Sequence, residues 1–219
     1  MHILQIKHKY KKEFEFDIQN IYIEKSRIIG LVGENGAGKT TFMSILSGYL
    51  KAGCIYEVEY EKEDYKTLFL PAEMELYDFL TVKELLELVK KYSSTKLSVE
   101  ELLSILDLED KADYSIEELS QGMRKKLTLI PLFIKKYDLI LLDEPFNSID
   151  VKYIYKLKKL LKEKKKDCTF IISSHILDTL VDLCDEFIVL DQGKVAKKFV
   201  NNKSISDVEG EIFENSTRV

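Results

Sequence analysis

The chain has 219 residues, of which 45% are hydrophobic and 32% are charged, and its formal net charge is −5. This composition is typical of a globular protein with a sizeable core, and the lack of a basic excess argues against nucleic acid as a partner. Apolar runs such as 139–142 and 187–190 are strand-sized, far short of the ~20 residues that cross a bilayer. The first residues lack the apolar stretch of a signal peptide, and we expect the cysteines to be buried, reduced thiols.

The N-terminal part of the chain is predicted to form strands. Alternation of apolar and polar residues indicates antiparallel strands with one solvent-facing side at 3–7, 14–18 and 21–23. Segment 27–32 is continuously apolar after its first residue, which is typical of a strand buried on both faces. A glycine-rich turn and an amphipathic segment at 41–50 follow, and 55–70 returns to strand character.

The middle of the chain is predicted to be helical. Apolar residues recur at helical spacing from about 76 to 113. Segment 119–135 is predicted to be a further helix, broken near Pro131 because proline cannot donate the helical hydrogen bond. This part of the sequence therefore differs in character from the strands before it.

From residue 139 onward, strands and helices alternate. We predict strands at 139–143, 169–173, 187–191 and 194–200, and helices at 151–166 and 177–184. Repeated strand–helix–strand order indicates an α/β fold with a mainly parallel sheet flanked by helices. The polar segment 201–219 is predicted to be either a short helix or a frayed tail.

A phosphate-binding motif follows the buried strand. Residues 33–40 fit the pattern Gly-x-x-x-x-Gly-Lys-Thr between a strand and a helix. The glycines let successive N–H groups point at phosphate oxygens, and the following helix adds its positive end. We expect the Lys39 ammonium to reach the β- and γ-phosphates and the Thr40 hydroxyl to bind Mg²⁺. A chance glycine-rich turn is the alternative, and the strand–helix context argues against it.

Two carboxylates end the apolar strand at 139–143. Asp143 is expected to hold Mg²⁺ through water, and Glu144 is expected to orient or deprotonate the attacking water. Helix capping by Asp143 is the structural alternative. His175 follows the strand at 169–173, at the end where parallel sheets place their ligands, so its imidazole is a candidate partner of the γ-phosphate.

In this order, the motifs resemble those of the ABC ATPases. The discriminating segment is Leu119-Ser120-Gln121-Gly122-Met123, because other P-loop ATPases lack it before the acidic strand. The resemblance covers residues 1 to about 200 and implies a single ABC ATPase domain over 1–219. Residues at about 1–75 and 119–200 are expected to form a RecA-like P-loop NTPase core with a mainly parallel sheet, together with an N-terminal antiparallel β subdomain. An inserted α-helical subdomain is expected at about 76–118, and a C-terminal tail at 201–219.

The resemblance also implies roles for individual residues. Tyr10 stands where the family stacks an aromatic ring on adenine, although it is one of 12 tyrosines, and Asp150 matches the carboxylate of the family's D-loop. Two such domains face each other in the family, so Ser120 and Gly122 are expected to contact ATP held by the partner subunit. The residues assigned to nucleotide binding are Tyr10, Gly33, Glu34, Asn35, Gly36, Ala37, Gly38, Lys39, Thr40, Thr41, Ser120, Gly122 and Asp150.

The sequence departs from the family pattern at three places. Ala72 stands where the family has a glutamine that touches Mg²⁺, and Glu73 is the neighbouring candidate metal ligand beside Thr40 and Asp143. The signature reads Leu-Ser-Gln-Gly-Met where many members have Leu-Ser-Gly-Gly-Gln. Ser148 replaces the usual D-loop glycine, so the geometry of that loop is expected to differ.

The resemblance implies an ATP- and Mg²⁺-dependent motor subunit of an ABC transporter. Lys39, Glu144 and His175 are its expected catalytic residues. The expected partners are a separate transmembrane permease subunit and a second ATP-binding subunit, identical or different, at the cytoplasmic face of the cell membrane. The signature resembles those of small bacterial exporters of peptides, lipids or drugs. The alternatives are a soluble ABC ATPase that acts in macromolecular assembly and a nucleotide sensor that does not hydrolyse ATP.

Overall fold

The computed structural model describes residues 1–10, 14–51, 54–59, 64–202 and 204–213. The strands are β1 (His2–Tyr10), β2 (Phe14–Tyr22), β3 (Ile28–Val32), β4 (Cys54–Glu59), β5 (Thr67–Leu70), β6 (Leu139–Leu142), β7 (Thr169–Ser173), β8 (Glu186–Asp191) and β9 (Lys194–Val200). The helices are α1 (Lys39–Leu46), α2 (Val82–Tyr92), α3 (Val99–Leu106), α4 (Gln121–Thr128), α5 (Pro131–Ile134), α6 (Val151–Lys164), α7 (Leu177–Val181) and α8 (Ile205–Phe213), with 3₁₀ turns at Glu109–Lys111 and Ile116–Glu118.

The chain divides into two compact units. The first comprises Met1–Pro71, Tyr137–Pro145 and Leu161–Val219, and the second comprises Ala72–Lys136 and Phe146–Leu160. The helical segment predicted at 76–118 lies inside the second unit, which also contains residues 119–136 and 146–160. Within the described residues, none of the helices combines the length and the apolar character that crossing a membrane requires.

A mainly parallel sheet forms the centre of the first unit. In the described part of the chain it has six strands in the order β5-β6-β7-β3-β8-β9, and all neighbours are parallel except β8 and β9. Every residue of β3, β6 and β7 is buried. The continuously apolar sequences of β3 and β6 predict this burial, whereas β7 also buries a threonine and a serine at its two ends. Because these three strands are neighbours and run in one direction, their carboxyl ends meet at one edge of the sheet.

An antiparallel sheet covers one side of the first unit. Its described strands have the order β2-β1-β4. Ile3, Ile6 and Phe16 are fully buried and belong to the same core as Phe42 of α1. The register of β1 against β4 shifts between Ile3 and Gln5, and this bulge lets Ile3 and Ile6 face the same core despite their odd spacing.

The second unit is built from short capped helices. Reciprocal capping boxes begin α2 and α3, because the Thr81 and Ser98 hydroxyls accept backbone N–H groups while Glu84 and Glu101 reach back. A third box at Ser115 begins the 3₁₀ turn Ile116–Glu118. The apolar faces of these elements form one core, which includes Val82, Leu86, Leu102, Leu106, Ile116 and Leu127.

Most predicted elements are present, and several bounds differ. Residues 21 and 22 of the alternating segment predicted at 21–23 are the end of β2 and not a separate strand, and residue 23 lies just beyond β2. The amphipathic segment predicted at 41–50 corresponds to a helix that runs from Lys39 to Leu46, because the phosphate loop leads directly into it. The break predicted near Pro131 is observed: α4 ends at Thr128, and α5 begins at Pro131, where the missing N–H has no consequence. The tail contains α8, and residues 214–219 lie outside the described residues.

Candidate nucleotide-binding site

The loop between β3 and α1 has the conformation that a phosphate cradle needs. Gly33 is at φ 151, and a Cβ added there would lie 2.2 Å from the carbonyl oxygen of Leu190, so only glycine fits. Gly38, at φ 104, precedes α1 as its N-cap, and no side chain of the described residues caps that helix. The first N–H groups of α1 are therefore available to an anion.

The Lys39 side chain folds back over this loop. Its Nζ donates hydrogen bonds to the carbonyl oxygens of Gly33, at 2.8 Å, and Glu34, at 3.1 Å. The ammonium thus lies beside the backbone that the motif assigns to phosphate. Glu34, Asn35 and Gly36 are exposed, so the loop is open to solvent.

Asp143 is a buried carboxylate held by two hydroxyl groups. It follows β6, is 3% exposed, and accepts a 2.6 Å hydrogen bond on Oδ2 from the Thr40 hydroxyl. Its Oδ1 accepts a 2.5 Å hydrogen bond from the Ser173 hydroxyl. Thr40 and Asp143 together present the hard oxygen ligands that Mg²⁺ prefers, so the residues fit this ion.

The described residues supply few ligands of their own to such an ion. Among the described residues, no group of three or more His, Cys, Asp or Glu side chains is placed to hold a metal. A magnesium ion here would take its remaining ligands from phosphate oxygens and water, as it commonly does. Glu73 is exposed and belongs to the second unit, so its assignment as a ligand stays a prediction.

Glu144 and His175 contact each other directly. The Glu144 carboxylate oxygen Oε2 lies 2.9 Å from His175 Nδ1 and also accepts the backbone N–H of His175 at 3.3 Å. The Glu144 side chain is 16% exposed and that of His175 is 60% exposed. Sequence reasoning placed both residues at this end of the sheet but missed their pairing. The signal in the sequence was that each residue directly follows a strand of a mainly parallel sheet, but the sequence did not show that β6 and β7 are neighbours.

Tyr10 is the last residue of β1, and its side chain lies outside the part that the structure describes. Its stacking on adenine stays a prediction. Thr41 is half-buried in the first turn of α1, directly after Thr40.

The second unit contains the signature segment. Ser120 is exposed and is the N-cap of α4, where its hydroxyl accepts the N–H of Met123 at 3.3 Å. A Cβ added at Gly122 would lie 2.3 Å from the carbonyl oxygen of Ser148, so the segment 146–150 packs against the start of α4. Ser148 is at φ 62, a conformation that favours glycine, which is the residue that the family commonly has there.

Asp150 is held by α4 and by the first turn of α6. Its Oδ1 accepts the N–H of Tyr153 at 2.8 Å, and its Oδ2 lies 3.0 Å from Lys126 Nζ. These two interactions, the backbone hydrogen bond first, lower the pKa of the Asp150 carboxyl below its ordinary value. Lys126 is 7% exposed, and sequence reasoning missed it because a lysine in a polar helix gives no sign of burial.

The segment at Ala72 is also fixed by α4. The carbonyl oxygen of Ala72 accepts a 2.7 Å hydrogen bond from Lys125 Nζ. Ala72 therefore offers a backbone oxygen to the signature helix, while its methyl side chain has no group that binds a metal.

The chain is similar in sequence to known ATP-binding proteins. A family model described as "ABC transporter" matches residues 16–147. The uncharacterized ABC transporter ATP-binding protein YybJ of Bacillus subtilis is 32% identical over 206 residues, which cover 88% of this chain and 93% of YybJ. The zinc import ATP-binding protein ZnuC of Rickettsia bellii is 34% identical over 193 residues, 84% of this chain and 81% of ZnuC.

Two solved structures share the fold. The ATP-binding subunit of an ABC transporter aligns with a TM-score of 0.79 at 24% identity, over 96% of this chain and 98% of that one. The ATP-binding cassette MJ0796, solved as a dimer with ADP and Pi, aligns with a TM-score of 0.73 at 21% identity, over 92% of this chain and 98% of that one.

The fold and the phosphate site define a P-loop nucleoside triphosphatase. The chain belongs to the ABC transporter family, in which it is an ATP-binding subunit and an ATPase.

Proposed function

We propose that this chain is the motor subunit of a transporter, and that it drives a separate membrane-spanning permease from the cytoplasmic face of the cell membrane. One observation carries the proposal: the first unit brings Lys39, Asp143 and Glu144 to one edge of its sheet, while the second unit presents Ser120 to solvent. A site for ATP and an exposed signature in one chain are what two copies need in order to complete each other's sites.

The residues of the first unit have distinct proposed roles. Lys39 and the N–H groups of residues 33–41 bind the triphosphate, and Thr40 with Asp143 would hold Mg²⁺. Bound Mg²⁺ would neutralise phosphate charge and orient the terminal phosphate. Glu144 accepts the proton of the attacking water, and His175 holds the Glu144 carboxylate in place through the 2.9 Å contact.

The residues of the second unit have their proposed role in trans. Ser120 and Gly122 close over ATP held by a second ATP-binding subunit, which is either identical or different. Support comes from the exposure of Ser120 at the N-terminus of α4, where an anion is favoured. Further support is that the related cassette MJ0796 is described as a dimer. Asp150 and the segment 146–150 are proposed to lie at the same interface.

We also propose which surface contacts the permease and in which direction the cargo moves. The helical segment 76–118 is the proposed contact. Its first residues include the aromatic rings of Tyr77 and Phe79, which are 62% and 77% exposed. The proposed direction is export of a peptide, lipid or drug, which rests on the resemblance of the signature. ZnuC is named for zinc import, so a transport assay with reconstituted vesicles is required to test the direction.

Purification of the tagged chain from detergent-solubilised membranes of its source cells tests the proposal. We expect a polytopic membrane protein to copurify in a fixed ratio and to stimulate ATP hydrolysis. A Lys39→Ala variant is the matched control, because it should retain the partner while losing turnover. Recovery of soluble partners alone, from a chain that hydrolyses ATP, would overturn the transport role in favour of an ATPase acting in assembly.

A further inference from the structure

Ser173 is a buried serine that contacts both acidic residues of the hydrolysis site. It is the last residue of β7 and is 0% exposed. Its hydroxyl donates to Asp143 Oδ1 at 2.5 Å and accepts the backbone N–H of Glu144 at 3.0 Å. A hydroxyl has one proton to donate and lone pairs to accept with, so a single side chain satisfies both neighbours.

The first contact fixes the direction of the Asp143 carboxylate. Because Ser173 occupies Oδ1, the other oxygen, Oδ2, is the one that faces the Thr40 hydroxyl. Without Ser173, a carboxylate that is 3% exposed would lose one of its two hydroxyl donors. Its charged form would then be poorly solvated, and its orientation would depend on the Thr40 contact alone.

The second contact fixes the backbone of Glu144. Glu144 is at φ 48, a left-handed conformation that costs free energy for any residue other than glycine. The hydrogen bond from its N–H to Ser173 offsets part of that cost. The same backbone conformation directs the Glu144 carboxylate to His175.

We propose that Ser173 is a positioning residue that orders the metal-binding carboxylate and the catalytic base together. The proposal rests on the proposed function, since it assigns Asp143 to Mg²⁺ and Glu144 to the attacking water. Ser173 is fully buried and acts through these two residues. Loss of such a supporting hydrogen bond typically costs about 10- to 100-fold in metal affinity or activity.

Ser174 provides a matched control in the next position of the chain. It is also a buried serine, 4% exposed, and its hydroxyl accepts the N–H of Ile176 at 3.0 Å instead of contacting the acids. Ser173→Ala and Ser174→Ala therefore remove the same group from neighbouring buried positions. Only the first variant removes the contacts to Asp143 and Glu144.

The experiment measures three quantities for the wild type and both variants: the affinity for a fluorescent ATP analogue with EDTA and with Mg²⁺, the kcat and KM of ATP hydrolysis, and the Tm. For Ser173→Ala we expect the affinity in EDTA to be unchanged. The increase in affinity that Mg²⁺ causes should be smaller than in the wild type by about tenfold or more, and kcat should fall by a similar factor. Ser174→Ala should keep both values, and Ser173→Thr should recover most of the loss because it restores the hydroxyl. If Ser173→Ala does not fold, Ser173→Cys replaces it, since the thiol has a similar shape but is a weak donor.

The proposal is overturned if the Mg²⁺-dependent gain and kcat of Ser173→Ala stay within about twofold of the wild type. It is also overturned if Ser174→Ala causes the same losses, because the effect would then be a general loosening of the strand end. A wild-type chain that binds MgATP without hydrolysing it would instead contradict the proposed function. The binding measurements would still test Ser173 in that case.

Discussion

Lys126 Nζ lies 3.0 Å from Asp150 Oδ2 and 4.5 Å from the ring centre of Tyr153. The ammonium thus joins the signature helix α4 to the segment 146–150 and to the start of α6. The Lys126 side chain is 8% exposed, so its charge is compensated mainly by these two partners. This arrangement ties the signature helix to the segment 146–150 within the second unit.

Replacing this buried cation should destabilise the second unit. For Lys126→Met we expect the free energy of unfolding to fall by about 1–2 kcal/mol, less than for a fully buried pair, because Asp150 is 56% exposed and water partly replaces the lysine. Urea denaturation monitored by circular dichroism measures the change. Lys159→Met, at an exposed position of α6, is the control and should change stability by less than about 0.5 kcal/mol. Equal stability of the two variants would contradict the prediction.

The same pair predicts a pH dependence. The Tyr153 N–H first, and the Lys126 ammonium after it, hold the pKa of Asp150 below its ordinary value of 3.8. The carboxylate therefore binds its proton more weakly in the folded chain than in the unfolded chain. The stabilisation is therefore complete above the unfolded value and is lost as the pH falls through the folded value. We expect the stability difference between the wild type and Lys126→Met to be constant from about pH 5 to about pH 8 and to shrink in stronger acid. A difference that shrinks on raising the pH within that range would contradict this sign.

Gly122 should tolerate no side chain. Gly122→Ala places a Cβ 2.3 Å from the Ser148 carbonyl oxygen, so the segment 146–150 must move, at a cost of about 1–3 kcal/mol. Gly210→Ala in α8 is the matched control, because a Cβ there meets no atom within 4 Å. Alanine is the better helix former, so this control should stabilise α8 by up to about 1 kcal/mol. Thermal unfolding measures both effects: the Tm of Gly122→Ala should fall below that of the wild type, and the Tm of Gly210→Ala should rise above it.

The features that the sequence predicted correctly are local ones. The phosphate loop depends on glycines and a lysine within one segment, and buried strands such as β3 and β6 are continuous apolar runs. The contact between Glu144 and His175 depends on strand order, because β7 lies between β6 and β3 although it follows both in the chain. The roles of Ser173 and Lys126 depend on which side chain faces which neighbour, and neither the spacing nor the composition of the sequence carries that information.

Cys168 should react slowly with alkylating reagents. Burial raises the pKa of its thiol to about 11, and its Sγ donates to the Lys164 carbonyl oxygen at 3.3 Å. At pH 8, roughly one molecule in a thousand would then carry the reactive thiolate. Iodoacetamide labelling followed by peptide mass spectrometry should show little modification of the native chain at this pH and rapid modification in urea. Labelling of native Cys168 as fast as in urea would contradict the assigned burial.

Glu144→Gln should stop hydrolysis while preserving the architecture of the site. Glutamine keeps a carbonyl oxygen for the backbone N–H of His175, which contacts the Glu144 carboxylate at 3.3 Å, but it cannot accept the proton of the attacking water. We expect turnover to fall at least about 100-fold with ATP affinity retained. The bound ATP should then hold two subunits together, because the contacts that its terminal phosphate makes persist.

Light scattering with saturating ATP and Mg²⁺ measures this association. The Glu144→Gln chain should have the mass of a dimer. The double variant Glu144→Gln/Lys39→Ala should be monomeric, because Lys39→Ala removes the ammonium that lies beside Gly33 and Glu34 in the phosphate loop. Ser120→Arg in the Glu144→Gln background should also be monomeric while still binding ATP, since Ser120 is exposed at the proposed interface. Dimers of the Ser120→Arg variant would place the interface elsewhere, and a Glu144→Gln chain that stays monomeric with ATP bound would refute the shared site.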